Sequence, residues 1–78
     1  MLYYPYMVSN KDENARKGLG HKLKGFRDKA KLTQAEVATK AGININYYAR
    51  IERGEENPSF EKLQSIMKAL NIKSLDVL

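Results

Sequence analysis

The sequence contains no cysteine, so neither a disulfide framework nor a thiolate metal site can stabilise the fold. His21 is its one histidine, and no second histidine or paired carboxylate stands near it at the spacing of metal ligands. The sequence also shows neither a glycine loop preceded by a strand nor a serine, histidine and acid set. We therefore expect no metal, no cofactor and no enzymatic activity, and we expect apolar packing to hold the fold together.

No hydrophobic run is long enough to cross a bilayer. Residues 1–8 are apolar but short, and they lack the flanking basic and small residues of a secretory signal. A cytoplasmic location without a membrane partner is therefore expected. A chain of 78 residues is expected to form one domain, with residues 14–78 as its body and residues 1–13 as an N-terminal tail or interface arm.

Positive charge is concentrated at one end of the sequence. Residues 1–31 contain eight basic and three acidic residues, whereas residues 32–78 contain six of each. The whole net charge of +5 therefore lies in residues 1–31. Such an excess favours a polyanionic partner, because each neutralised phosphate releases counterions. The alternative is a solvated basic helix that serves solubility.

Apolar residues recur at the helical period, and no segment alternates as a half-buried strand would. The first helix is predicted over residues 14–30, where an apolar stripe is formed by Leu19, Leu23, Phe26 and Ala30. Three glycines, each costing about 1 kcal/mol of helix stability relative to alanine, indicate that another element packs close to this helix: Gly18, Gly20 and Gly25.

Capping signals mark the starts of the later helices. Thr33 and Glu36 form a capping box before the second helix. Asn44 can cap a third helix and Ser59 a fourth. The fourth helix carries a broad apolar face made of Phe60, Leu63, Ile66, Met67 and Leu70. Ser74 begins a last fragment of barely one turn, so the predicted fold is all-α, with four helices and a stub.

About three residues, with Gly42 at the break, join the second helix to the third. So short a connection makes the two helices cross steeply, which is the geometry of a helix-turn-helix unit. Gly42 can adopt the positive φ that this corner needs, and Ala38 is small where the helices approach each other. Five apolar side chains are expected to fill the angle between the helices: Val37, Ala41, Ile43, Tyr48 and Ile51. The outer face of the third helix is then left free for another purpose.

These residues resemble the helix-turn-helix domain of the phage repressor and Cro type, the XRE family, over residues 19–78. The resemblance rests on Leu-Thr-Gln-Ala-Glu-Val-Ala from Leu32, Tyr-x-x-Ile-Glu-Arg-Gly ending at Gly54, Asn-Pro-Ser from Asn57 and Ala-Leu-Asn-Ile from Ala69. It implies a five-helix, lambda-repressor-like bundle with a very short last helix, acting as a DNA-binding transcriptional regulator. Relatives of this length include restriction-modification controller proteins, small phage-type repressors and antitoxins, and the sequence does not choose among them.

Carried over by position, the resemblance implies that the third helix reads bases and the second contacts the DNA backbone. The base-facing positions are Ile45, Asn46, Ala49 and Arg50, and the phosphate-facing ones are Gln34, Asn44 and Tyr47. Three lysines are further candidates for electrostatic positioning on phosphate: Lys22, Lys24 and Lys40. Arg27 and Glu52 match a buried structural ion pair between the first and third helices.

The chemistry of these side chains agrees with such a role. Asn46 can read adenine through N6 and N7, and Arg50 can read guanine through O6 and N7. Ile45 departs from the polar residue more common in the family, and it either contacts a thymine methyl group or shields its neighbours. Glu55 and Glu56 lie in a loop that approaches phosphate in relatives, where their charge is unfavourable.

The resemblance also implies a homodimer on double-stranded DNA with two-fold symmetry, with no small-molecule effector expected at this size. Apolar residues near the C-terminus are candidates for the dimer interface: Leu70, Ile72, Leu75 and Leu78. The main alternative is a protein-interaction module of the same fold, an antitoxin or adaptor, which the apolar N-terminus favours slightly. A basic helix on an anionic membrane is a weaker alternative, because the apolar stripe of the first helix is needed for the core.

Overall fold

The computed structural model describes the backbone of residues 5–73 and the side chains of residues 13–73. All regular structure in this part is helical: α1 is Pro5–Ala30, α2 is Gln34–Ala41, α3 is Ile45–Glu52 and α4 is Phe60–Leu70. The all-α class is thus confirmed. The described part has four helices rather than five, and residues 75–78, where the fifth was predicted, lie outside it. Although α1 has 26 residues, no described helix is long and apolar enough to cross a membrane.

Helix α1 begins at Pro5, well before residue 14 where the sequence placed its start. Proline is favoured at a first helical position, because the amide it lacks would have no helical partner there. No further proline or glycine interrupts the chain before Gly18. The prediction had followed the apolar stripe, which starts later than the helix does. The division at residue 13, and the tail or arm before it, stay predictions.

The three predicted caps are present. The side chain of Thr33 accepts a 3.0 Å hydrogen bond from the Glu36 amide, and the Glu36 carboxylate accepts a 2.8 Å bond from the Thr33 amide. The bond from the Thr33 amide holds the pKa of Glu36 below its ordinary value. The side chain of Asn44 accepts from two amides of the first turn of α3, and Ser59 accepts from one at the start of α4. Local chemistry therefore fixes where α2, α3 and α4 begin.

The predicted corner between α2 and α3 is also present. Gly42 adopts the left-handed conformation, with φ 71° and ψ 33°, and its amide donates to the carbonyl oxygens of Ala38 and Thr39. The Ile43 amide donates to the Ala38 carbonyl as well, at 2.9 Å. These bonds satisfy the last carbonyls of α2 while the chain turns sharply into α3.

The core lies where α1 packs on α3 and α2 packs on α4. Its largest fully buried side chains are those of Leu23, Val37, Tyr48, Ile51 and Ile66. Of the five residues predicted to fill the angle between α2 and α3, three are fully buried, and Ala41 and Ile43 are partly buried against them. Burying the inner side of α3 in this way stabilises a helix whose local propensity is poor.

Two apolar residues of α4 depart from part of what the sequence predicted for them. Phe60, expected on the buried face, is 74% exposed. It is the first residue of the helix, so its Cα–Cβ bond tilts back toward the N-terminal end, away from the middle of the core. Leu70, expected at a dimer interface, is only 6% exposed. It shares the inner face of α4 with Ile66 and completes the core, so its assignment to the interface is wrong.

The structure describes only one of the other three predicted interface residues. Ile72 is partly buried and packs against the core, whereas Leu75 and Leu78 lie outside the described residues. The dimer interface stays a prediction for these three.

Of the three glycines of α1 predicted to allow close packing, Gly20 lies nearest to α3. A Cβ atom there would overlap the carbonyl oxygens of Ile51 and Glu52 at the end of α3. A Cβ on Gly18 or Gly25 would meet no atom within 4 Å. The close packing inferred from the three glycines therefore exists at Gly20 alone.

We expect Gly20→Ala and Gly25→Ala to change stability in opposite directions. Gly20→Ala should lower the free energy of unfolding by about 1–3 kcal/mol, because α1 must move away from α3. Gly25→Ala should raise it by up to about 1 kcal/mol, because alanine stabilises an exposed helix without a clash. Urea denaturation measures both, and a Gly20→Ala protein as stable as wild type would contradict the close approach.

Candidate nucleic-acid interface

The carboxylate of Glu52 joins three helices at one point. Arg27 on α1 donates to it from Nε, 2.6 Å from Oε2, and from Nη2, 3.1 Å from Oε1. Gln34 at the start of α2 donates from Nε2, 2.9 Å from Oε1. The remaining guanidinium nitrogen of Arg27 donates to the Leu32 carbonyl at 3.0 Å. The predicted pairing of Arg27 with Glu52 is present, and Gln34 adds a contact that the sequence did not reveal.

This cluster is buried, and its charges are mutually stabilised. The side chains of Arg27 and Glu52 are 13% and 3% exposed. Burial opposes ionisation of Glu52, but hydrogen bonds, chiefly from Arg27, outweigh it, and the pKa of Glu52 is lowered. The hydrogen bond to Glu52 raises the pKa of Arg27. The Tyr48 hydroxyl is buried nearby without a hydrogen bond of standard geometry, and burial, together with the charge of Glu52, raises its pKa.

With its inner side held by this cluster and the core, α3 presents its outer side to solvent. The four residues predicted to face bases share that side, because residues one turn apart on a helix lie above one another. Ile45 is 42% exposed, Asn46 is exposed, and Ala49 and Arg50 are partly exposed. The structure thus brings Ile45, Asn46, Ala49 and Arg50 together on one accessible surface, which we name the α3 outer face.

The predicted phosphate-facing residues near α3 are partly engaged within the chain. The Asn44 oxygen accepts the two capping hydrogen bonds, so only its amide hydrogens remain for a phosphate. Gln34 uses one of its two amide hydrogens on Glu52. Tyr47 is partly buried and packs against the core. Their phosphate contacts stay predictions, now restricted to particular atoms.

The three candidate lysines are exposed, but they differ in surroundings. Lys24 forms an ion pair with Asp28, 3.3 Å from Nζ to Oδ2, one turn along α1. Lys40 lies on the last turn of α2, just before the Gly42 corner. Lys22 lies on the exposed side of α1. Lys40 is therefore the candidate lysine that the sequence places nearest the start of α3.

Two arginines at the C-terminal end of α3 pair with the two glutamates of the loop that follows. Arg53 binds Glu55 through two hydrogen bonds of 3.0 and 3.1 Å. Arg50 lies 3.6 Å from Glu56, measured from Nη2 to Oε2. From the sequence alone, these glutamates are expected only to repel the DNA backbone. Their spacing from the arginines carries no helical signal, and the turn at Gly54 is what brings the charges together.

Within residues 13–73, whose side chains the structure describes, no three histidine, cysteine, aspartate or glutamate residues come together as a metal site would require. What the described surface offers is an exposed helix face with amide and guanidinium donors. Together with the short α2, the Gly42 corner and the buried inner side of α3, this face defines a helix-turn-helix protein.

Comparison with known proteins gives the same class. The family model described as Helix-turn-helix, HTH_3, matches residues 23–78. The chain belongs to this family, which confirms the resemblance drawn from its sequence.

Relatives include regulators of phage and restriction-modification systems. The chain is 40% identical over 55 residues to the immunity repressor protein of Bacillus phage phi105, with 70% of this chain and 38% of the repressor covered. It is 32% identical over 66 residues to control protein C.BamHI of Bacillus amyloliquefaciens, covering 83% and 82% of the two chains. The chain therefore spans well under half of the phage repressor but most of the control protein.

A solved relative shares the fold. The restriction-modification controller protein C.Esp1396I, solved as a tetramer with its natural 35 base-pair operator, is similar with a TM-score of 0.74 and 26% identity. The similarity covers 78% of this chain and 80% of that one.

Glu52→Gln should destabilise the protein in a pH-dependent way. Removing the charge leaves Arg27 buried without its partner, so we expect the free energy of unfolding near neutral pH to fall by about 3 kcal/mol. The lowered pKa of Glu52 means that its contribution is complete above the ordinary carboxyl value of 4.5 and is lost as the pH falls through the folded-state pKa. The difference in the free energy of unfolding between wild type and variant should therefore stay constant from neutral pH down to about pH 4.5 and become smaller below that pH.

Urea denaturation at several pH values measures this gap. Glu61→Gln on the exposed side of α4 is the matched control and should change stability by less than about 0.5 kcal/mol. A gap for Glu52→Gln that does not change with pH would contradict a stabilising, ionised Glu52.

Proposed function

We propose that this protein is a sequence-specific DNA-binding transcriptional regulator that acts as a homodimer on an operator with two-fold symmetry. In this proposal α3 lies in the major groove, and the N-terminal part of α2 contacts the backbone of the DNA. Its biochemical role is binding rather than catalysis. The two half-sites are expected about one helical turn apart.

The α3 outer face is the observation that carries the proposal. Asn46 is exposed there, and a side-chain amide can bond adenine in a bidentate manner. Arg50 is one turn further on, with a side chain 43% exposed, and a guanidinium is the commonest partner of guanine. The cluster around Glu52 fixes the helix that carries both, so their spacing along the groove is set before DNA binds.

The relatives support the same function. Two are named as a repressor and a control protein, and a third has been solved with its operator as a tetramer. The net charge of +5 suits an anionic partner. The homodimer is inferred from the tetrameric assembly of that relative and from the apolar residues that the sequence carries near its C-terminus.

Arg50→Ala should weaken base discrimination at one position of each half-site. With duplexes selected from a random library by the wild-type protein, we expect a loss of about 1–3 kcal/mol of preference at the guanine read by Arg50. Arg53→Ala is the control, because Arg53 lies beyond the end of α3 and is paired with Glu55. Binding titrations with each base pair replaced in turn measure both variants. Unchanged discrimination at every position in Arg50→Ala would remove Arg50 from the base-reading set.

A protein-interaction module of the same fold is the second candidate, and the 74% exposure of Phe60 favours it. An aromatic side chain in this position is typical of protein contact surfaces.

Salt dependence separates the two functions. The logarithm of DNA affinity should fall linearly with the logarithm of salt concentration, with a slope of about −0.9 for each phosphate neutralised. Phe60→Ala should leave DNA binding unchanged. A duplex affinity that does not respond to salt would contradict the proposed contacts with DNA phosphates. The absence of any duplex binding would support the protein-interaction function.

A further inference from the structure

The two glutamates after α3 hold their arginines in different ways. Glu55 engages Arg53 through two atoms, with Nε 3.0 Å from Oε2 and Nη2 3.1 Å from Oε1. Glu56 meets Arg50 through Nη2 and Oε2 alone, at 3.6 Å. One edge of the Arg53 guanidinium is therefore occupied, whereas the single contact of Arg50 with Glu56 leaves one of the two edges that contain Nη2 available for a bidentate contact.

The backbone of the loop produces this contact. Gly54 has a φ of 76°, and the Glu55 amide donates to the Arg50 carbonyl at 2.9 Å. The chain thus folds back over the last turn of α3, and the next residue, Glu56, comes to the guanidinium of Arg50. The side chains of the pair are 43% and 34% exposed, so the pair is accessible to an approaching partner.

A carboxylate beside a guanidinium affects its binding to guanine and to phosphate differently. A guanidinium carries five N–H donors in a fixed fork, so one of them can stay with Glu56 while two others bond O6 and N7 of guanine. The guanine edge is neutral. A phosphate is an anion, and the Glu56 carboxylate both repels it and neutralises the charge that attracts it. Arg50 paired with Glu56 is therefore suited to a base edge and poorly suited to the DNA backbone.

We propose that Glu56 is a positioning residue that makes Arg50 selective, by keeping its guanidinium off phosphates and available for a guanine. This proposal rests on the proposed DNA-binding function and adds a specificity role for a residue that does not itself contact DNA. The ion pair is half exposed, so its effect on affinity is expected to be several-fold rather than large.

Glu56→Gln tests the proposal, and Glu55→Gln is the matched control with the same change of charge in the same loop. The probes are the duplex selected by the wild-type protein and a duplex of the same composition with a scrambled sequence. Glu56→Gln should raise affinity for the scrambled duplex about threefold more than affinity for the selected one. Its salt slope on the scrambled duplex should steepen by about one, because Arg50 then neutralises a phosphate. Glu55→Gln should change the ratio of the two affinities much less, because Glu55 is hydrogen-bonded to Arg53 and acts on Arg50 only through a weaker electrostatic interaction.

The same measurements in an Arg50→Ala background show whether Glu56 acts through Arg50. There Glu56→Gln should no longer alter the ratio of the two affinities. Three results would each overturn the proposal. The ratio of the affinities for the selected and the scrambled duplex could be unchanged in Glu56→Gln, or it could fall as much in Glu55→Gln as in Glu56→Gln. Glu56→Gln could also lower this ratio as much in the Arg50→Ala background as it does alone. If the wild-type protein selects no duplex at all, the DNA-binding function itself fails, and this outcome differs from the other three.

Discussion

One buried carboxylate, that of Glu52, determines how the helices of this protein meet. It lies at the end of α3 and accepts hydrogen bonds from Arg27 on α1 and Gln34 on α2. A buried ion pair adds little net stability over apolar packing, but it penalises any arrangement in which one charge is left alone. The cluster therefore specifies how α1, α2 and α3 are placed relative to one another, together with the close contact at Gly20 and the corner at Gly42. As a consequence, the α3 outer face is left accessible to solvent.

Features governed by local chemistry could be predicted from the sequence. The caps at Thr33, Asn44 and Ser59 and the left-handed Gly42 follow from short-range rules, and the buried inner side of α3 follows from apolar spacing. The Arg27–Glu52 pair could be predicted only through the family resemblance. The early start of α1 escaped prediction because its first residues carry no apolar stripe. Helical periodicity places Leu70 correctly on the buried face of α4, but it does not show that Phe60, at the first position of the helix, lies away from the middle of the core.

Charge at the C-terminal end of α3 is arranged differently from what composition indicates. Counted along the sequence, residues 32–78 are neutral overall, and this neutrality conceals a specific pairing in which each loop glutamate meets one arginine. Arg53 binds its glutamate in a bidentate manner, whereas Arg50 contacts its glutamate through one nitrogen atom and keeps most of its N–H donors free of Glu56. The sequence could not reveal this, because the contact requires the chain reversal at Gly54. An arginine that is exposed, aimed by its helix and partly neutralised is suited to reading a base rather than attracting a polyanion.

The proposed function requires above all that the α3 outer face enters the major groove. Methylation interference on the selected duplex tests it most directly, because dimethyl sulfate modifies guanine N7 in the major groove and adenine N3 in the minor groove. We expect methylation of a guanine N7 in each half-site to block binding, at positions about one helical turn apart. Interference confined to adenine N3, with free binding to duplexes methylated at every guanine N7, would contradict the claim.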